Sequence, residues 1–222
     1  MSTKEVRIAV GDTQVSGIFE RPEDAGALLV LAHGAGAGMH HPFMETVAEK
    51  LAARGVATLR YQFPYMEQGK KAPSPQKTLL RTVRAAVDQA ATLADGLPIL
   101  AGGKSMGGRM TSLAAAEEAL PQVKGLVFFG FPLHAPGKPS AHRGEHLHQV
   151  GLPMLFLQGT RDKLADLSLL EPLCRDVGKH ASLHIVDGGD HSFHMLKRSG
   201  RTDEEGLDEL ADQVREWTAH LK

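Results

Sequence analysis

The segment Gly103-Lys104-Ser105-Met106-Gly107 sets a serine between small residues two positions away on either side. In the pattern G-x-S-x-G the serine stands on a strained turn between a strand and a helix, and the small residues let the two elements approach closely. A hydroxyl there sits at a helix N-terminus, where free N–H groups and the helix dipole favour a developing anion. The chemistry this suits is nucleophilic attack on an acyl carbon. A serine at its ordinary pKa is a weak nucleophile, so it needs a base oriented by a third group. Two downstream loops offer them: Gln158-Gly159-Thr160-Arg161-Asp162 and Asp187-Gly188-Gly189-Asp190-His191 each follow an apolar run. The chain order Ser105, Asp162, His191 is one that such elbows use. Asp190 adjoins His191 and is poorly placed to face its Nδ1, and Asp187 stays with its strand end, so Asp162 is favoured as the acid. Donors for the oxyanion are expected from the N–H of Met106, directly after the serine, and from the loop His33–Gly38. In that loop Ala35 is favoured and Gly36 is the alternative, while His33 is expected to shape the loop.

Other constellations carry less. Gly103-Lys104-Ser105 imitates the end of a phosphate-binding loop, but Pro98 stands where that motif needs its first glycine. Gly34–Gly38 imitates a dinucleotide fingerprint with Arg60 at the next strand end, but Met39 holds the third glycine position. His134, His142, His146 and His148 lack companion carboxylates or cysteines at ligand spacing and read as solvated surface histidines. Lys104, Arg109, Lys70 and Lys71 read as solvated charges, and Cys174 as inert packing. No cofactor and no metal is expected.

The elements that must hold these residues follow from periodicity. Lys4–Val10 and Gln14–Glu20 alternate in polarity around Gly11-Asp12, which predicts an opening hairpin. Ala27–Ala32, Leu97–Ala101, Gly125–Phe129, Pro153–Leu157 and Ser182–Val186 read as apolar strands of the buried type, and Val56–Tyr61 as a strand. Helices are predicted over Phe43–Arg54, Gln76–Ala94, Met106–Leu120 and Leu167–Val177, with a last one carrying Leu207, Leu210, Val214, Trp217 and Leu221 on one face. Phe63–Ser74 reads as loop. Phe131–Val150 lacks periodicity and is expected to be a functional or mobile loop. A hairpin followed by strand–helix alternation predicts a mostly parallel sheet with helices on both faces, in one domain over residues 1–222.

Composition agrees with a globular chain of 222 residues: 42% of residues are hydrophobic and 23% charged. With 25 basic against 26 acidic residues the formal net charge is −1, so neither nucleic acid nor an anionic membrane is expected as a partner. No stretch reaches the ~18 apolar residues of a membrane helix, and the first residues contain no apolar run. The expectation is a soluble, cytoplasmic protein.

The HGAGAG loop, the GKSMGG elbow, GTRD and GDHSF together resemble the α/β-hydrolase superfamily over essentially the whole chain. RYQFPYMEQGKKAP and GFPLHAPGKP further resemble a small, lid-poor branch. That branch includes dienelactone-hydrolase-like proteins and the hydrolase-like subunit of the non-specific lethal chromatin complex. The resemblance implies an eight-stranded, mostly parallel sheet without a cap domain, and a triad on Ser105, Asp162 and His191. Dienelactone hydrolases use a cysteine nucleophile, from which Ser105 departs. The function expected is a cofactor-independent serine hydrolase acting on a carboxylic ester or related small acyl substrate. The expected pocket walls are Met39, His40, Phe43, Tyr65, Phe131, Leu133 and Phe193. The alternatives are a non-catalytic interaction module on the same fold, or acyl transfer or perhydrolysis on the same triad.

Overall fold

The computed structural model describes residues 1–221. Its centre is an eight-stranded sheet in the order β1-β2-β4-β3-β5-β6-β7-β8. β1 (Ser2–Val10) and β2 (Thr13–Arg21) form the opening hairpin. They turn at Gly11-Asp12, where Gly11 takes a φ of 60°. β2 joins β4 (Val56–Tyr61) antiparallel, and β3 (Ala27–Ala32) pairs parallel with β4 and with β5 (Ile99–Lys104). β6 (Val123–Phe129), β7 (Met154–Gly159) and β8 (Ala181–Val186) complete the parallel part.

Strand alternation divides the core between the two faces of the sheet. Val30, Ala101, Phe128 and Phe156 join one cluster with Leu79, Val83 and Val87 of α3 (Gln76–Leu93) and Met110 and Ala114 of α4 (Met106–Glu117). α5 (Leu167–Val177) adds Leu170 and Leu173 to that side. Leu29, Leu31, Leu100, Val127, Phe129 and Leu155 point the other way. There they meet Phe43, Val47 and Leu51 of α1 (Pro42–Ala52) and Leu210 and Val214 of α6 (Asp203–Ala219). The expected stripe of the last helix packs here, with Leu207 and Trp217 partly buried; Leu221, expected on the helix, lies past its end at Ala219 and still packs against the same cluster.

Helix starts follow from local chemistry. Pro42 opens α1, where it forfeits no hydrogen bond, and the His41 side chain accepts the Phe43 N–H. α6 starts with a reciprocal capping box between Thr202 and Glu205.

Most boundaries shift by one or two residues, and four segments differ in ways that bear on the site or its supports. β5 runs on through Gly102, Gly103 and Lys104, because paired strands pass so close that a Cβ on Gly102 would lie 1.8 Å from the Val127 carbonyl oxygen. α4 ends at Glu117 rather than at Leu120. The segment read as loop contains one helical turn, α2 (Pro64–Glu67), whose Glu67 accepts from the Ser16 N–H at 3.0 Å and from Arg7 at 2.8 Å. The aperiodic stretch 131–150 is packed down: Leu133 and Leu147 are fully buried, and a 3₁₀ helix spans His142–Gln149.

Candidate active site

Because β3, β5, β7 and β8 are parallel, their C-terminal ends meet at one edge of the sheet, where open α/β sheets place ligands. At that edge Ser105 takes φ 50° and ψ −116° between β5 and α4. For a side chain with a Cβ this conformation is strained, and it stands the hydroxyl clear of the chain. The surroundings enforce it. A Cβ on Gly103 would lie 2.2 Å from the Ala32 carbonyl oxygen, and one on Gly107 would lie 2.5 Å from the same atom. Only glycine at both positions lets the turn nest against β3.

The Ser105 Oγ lies 2.8 Å from His191 Nε2, and His191 Nδ1 lies 2.7 Å from Asp162 Oδ2. The carboxylate can only accept, so Nδ1 carries the proton and Nε2 is the acceptor for the serine hydroxyl. The Asp162 side chain is wholly shielded from solvent, whereas His191 remains 25% exposed. Asp162 is held by two further donors: the Leu164 N–H reaches Oδ1 at 2.8 Å, and the Gln158 amide reaches Oδ2 at 2.5 Å. The rival acids are occupied elsewhere. Asp190 accepts from the N–H groups of Ser192 and His194, at 2.8 and 3.0 Å, and so turns the loop that presents His191. Asp187 receives the Thr160 hydroxyl at 3.3 Å.

The loop after β3 lies against the serine, with an added Gly34 Cβ in ordinary contact with the Ser105 Cβ at 3.8 Å. The Gly36 N–H donates to the Tyr65 hydroxyl at 3.0 Å. This commits Gly36 and leaves Ala35 as the loop's candidate oxyanion donor. Met106 opens α4, so its N–H has no intrahelical acceptor. His33 shapes this loop: its Nδ1 donates to the Gly34 carbonyl at 2.7 Å and its Nε2 accepts from the Phe63 N–H at 3.1 Å. Burial pushes its pKa down to about 4, so it stays neutral. Tyr65→Phe removes the acceptor from Gly36 and is expected to cost about 1 kcal/mol of stability. It should also slow reaction of Ser105 several-fold; a thermal melt and a serine-labelling rate check the two.

A cleft of about 330 Å³ opens beside Ser105 and His191, walled by Ala37, His41, Phe43, Met44, Leu164 and Ser192, with Lys104 also bordering it. Of the expected walls, only Phe43 borders it. Met39 and His40 line a separate concavity with Arg7 and Ile18 of the hairpin, because α1 starts two residues later and turns them outward past the cleft. Tyr65 is buried under the loop after β3 as the partner of Gly36. Phe131 and Leu133 turn into the core, Phe131 packing edge-on to Phe128 at 5.3 Å. Phe193 is 1% exposed and stacks behind Phe43 at 6.0 Å. His41, Met44, Leu164 and Ser192 went unnamed because no periodicity distinguishes loop residues that face a cleft from those that face water.

Several polar residues depart from the solvated state expected of them. Lys104 is only 8% exposed. His134 links its own loop to the Asp166 N–H at 2.8 Å, and His146 contacts the Ser112 hydroxyl at 2.8 Å, with burial pushing its pKa down to about 4. Arg60, weighed in the sequence only as a companion to a dinucleotide fingerprint, is buried and paired with Glu20 at 2.8 Å. Cys174 packs in the core as expected, and burial raises its thiol to about 11. Among the described residues no group of histidine, cysteine and carboxylate side chains is arranged to hold a metal ion, and no helix is long and apolar enough to cross a membrane.

Residues 25–219 match the family model described as an alpha/beta hydrolase domain, and the chain belongs to that family. Its fold is shared with dienelactone hydrolase from Anabaena variabilis, at 22% identity and a TM-score of 0.79 over 99% of this chain and 98% of the other. It is shared too with Est1E from Butyrivibrio proteoclasticus, solved with ferulic acid bound, at 18% identity and a TM-score of 0.76 over 97% and 98%. A curated Mycobacterium tuberculosis relative, provisionally named a phosphoribosyl transferase, is 28% identical over 194 residues. That match covers 86% of this chain but 42% of the relative, so the chain spans about two-fifths of the length of the curated proteins it matches.

Proposed function

We propose that this protein is a serine hydrolase that cleaves a carboxylic ester or a related acyl bond through an acyl-enzyme. The observation that carries the reading is the continuous hydrogen-bond chain from Asp162 through His191 to Ser105, ending on a serine held at φ 50°. Ser105 Oγ attacks the carbonyl carbon as His191 Nε2 takes its proton. Asp162 keeps Nδ1 protonated and stabilises the imidazolium that forms. The Ala35 and Met106 N–H groups receive the oxyanion, and His191 then hands its proton to the departing alkoxide. Water, deprotonated by the same imidazole, attacks the acyl-enzyme and releases the acid, returning the proton to Ser105.

The phosphoribosyl transferase name of the mycobacterial relative belongs to a protein of which this chain matches 42%. A cleft of about 330 Å³ is at the small end for ligand sites of ~300–1,000 Å³. It favours short acyl groups. A series of p-nitrophenyl esters tests this: kcat/KM for acetate or butyrate is expected to exceed that for palmitate by about tenfold or more. Preference for the long chain, or no turnover of any ester, would count against the assignment.

A further inference from the structure

The mechanism above leaves two buried cations unused: Arg60, which is paired with Glu20 away from the triad, and Lys104, which is not so paired. Lys104 immediately precedes Ser105, and strand alternation from Leu100 through Gly102 carries its side chain to the α1–α6 side of the sheet, beneath the site. Burying a charge is costly without compensation, so its neighbours matter. Its ammonium donates to the backbone carbonyl of His191. It lies 5.4 Å from the ring centroids of both Phe43 and Phe193, within cation–π range. The charged groups facing it are Asp162, on the loop after β7, and Asp190, beside His191 on the loop after β8. Gly130 sits at the meeting point. A Cβ built there would stand 3.1 Å from Lys104 Nζ, 3.4 Å from Asp162 Oδ2 and 3.4 Å from His191 Nδ1.

We propose that Lys104 is a positioning residue: it ties down the His191 main chain and sets a positive charge behind the Asp162 carboxylate, which together hold the imidazole in line with Ser105. This rests on the serine-hydrolase reading. The tie is specific in direction, because it grips the backbone of the residue whose ring must span Asp162 and Ser105. Phe43 and Phe193 flank the ammonium at 5.4 Å each, and Lys104 is 8% exposed where it borders the cleft. The same Phe43 borders the cleft, so the wall of the binding site and the support of the base share one side chain.

A purely structural lysine would leave the pH dependence of the site untouched; a positioning lysine would not. Burial lowers the Lys104 pKa to about 8, with Asp162 and Asp190 opposing the shift. Its charge is therefore present below about pH 8 and lost above it. The test is the second-order rate of Ser105 labelling by a fluorophosphonate between pH 7 and pH 9.5, on the full chain and on Lys104→Met. Wild type is expected to slow by about tenfold as the charge-assisted bond is lost, the size of one hydrogen bond to a charged group. Lys104→Met should be slow throughout, by about tenfold or more at pH 7, and should lack the alkaline limb. Near-UV circular dichroism establishes that the variant is folded; should it not fold, Lys104→Arg takes its place, whose guanidinium stays charged through pH 9.5 and should remove the alkaline limb. A flat wild-type profile, or a folded variant with wild-type rate and profile, would overturn the inference. Absence of labelling in wild type at every pH would instead remove the hydrolase reading, and this inference with it.

Discussion

His191→Ala is expected to slow phosphonylation of Ser105 by on the order of 10³-fold or more, while Ser105→Ala abolishes it. Near neutral pH a serine hydroxyl reacts only as fast as its proton can be removed, and Nε2 is the acceptor 2.8 Å from Oγ. Asp162 cannot replace it, since its carboxylate lies on the far side of the ring and its three hydrogen bonds come from His191, Gln158 and Leu164. The fold should survive. Asp162 keeps its two other donors, and the lost ring is a quarter exposed. A near-wild-type labelling rate in His191→Ala would mean that Ser105 is activated by some other group.

Asp162→Asn should cost both activity and stability. Every neighbour of the carboxylate is a donor: Leu164 N–H at Oδ1, and the Gln158 amide and His191 Nδ1 at Oδ2. An asparagine must turn its NH₂ group toward one of these donors. Turned toward Leu164, it strands a buried N–H, at about 1–3 kcal/mol. Turned toward His191, it forces the proton from Nδ1 to Nε2, where the ring can no longer accept from Ser105. Loss of labelling rate by on the order of 10³–10⁴-fold is expected, together with a lowered melting temperature. Retention of both would show that the acid lies elsewhere.

Much of this site can be read from the sequence because its parts are punctuated. Ser105 and Asp162 each follow, within a few residues, an unbroken apolar run that forms a strand buried on both faces; His191 follows β8, an edge strand that reads as buried but is buried only at Val186. The hairpin turn at Gly11-Asp12 and the stripe of the last helix are equally plain, since period two and period 3.6 leave distinct patterns. The cleft walls are not legible in the same way. Phe43, Phe131 and Phe193 are chemically alike and all follow strands that lead to the site edge, yet only Phe43, in the first turn of α1, borders the cleft; the other two turn into the core. The direction a loop side chain takes depends on tertiary packing that no local pattern encodes.

Lys104 is an intermediate case. Its charge suggests solvent, but it occupies the last position of a strand whose alternate residues Leu100 and Gly102 face the inner side. Extending that alternation through the two glycines would have placed it inside. The glycine pair hid the signal, because glycines read as a loop until the crowding against Val127 and Ala32 is seen. Gln158 is hidden for a similar reason: as a strand residue it looks like a polar interruption, whereas it is 0% exposed and donates to Asp162.

The central claim is that Ser105 is an activated nucleophile. Fluorophosphonate labelling of the intact protein tests it most directly, with the mass of the adduct and its site found by mass spectrometry. A single stoichiometric adduct on Ser105, absent from Ser105→Ala, is the result expected. Well-folded protein that takes up no probe, or takes it up on another residue, would contradict the claim.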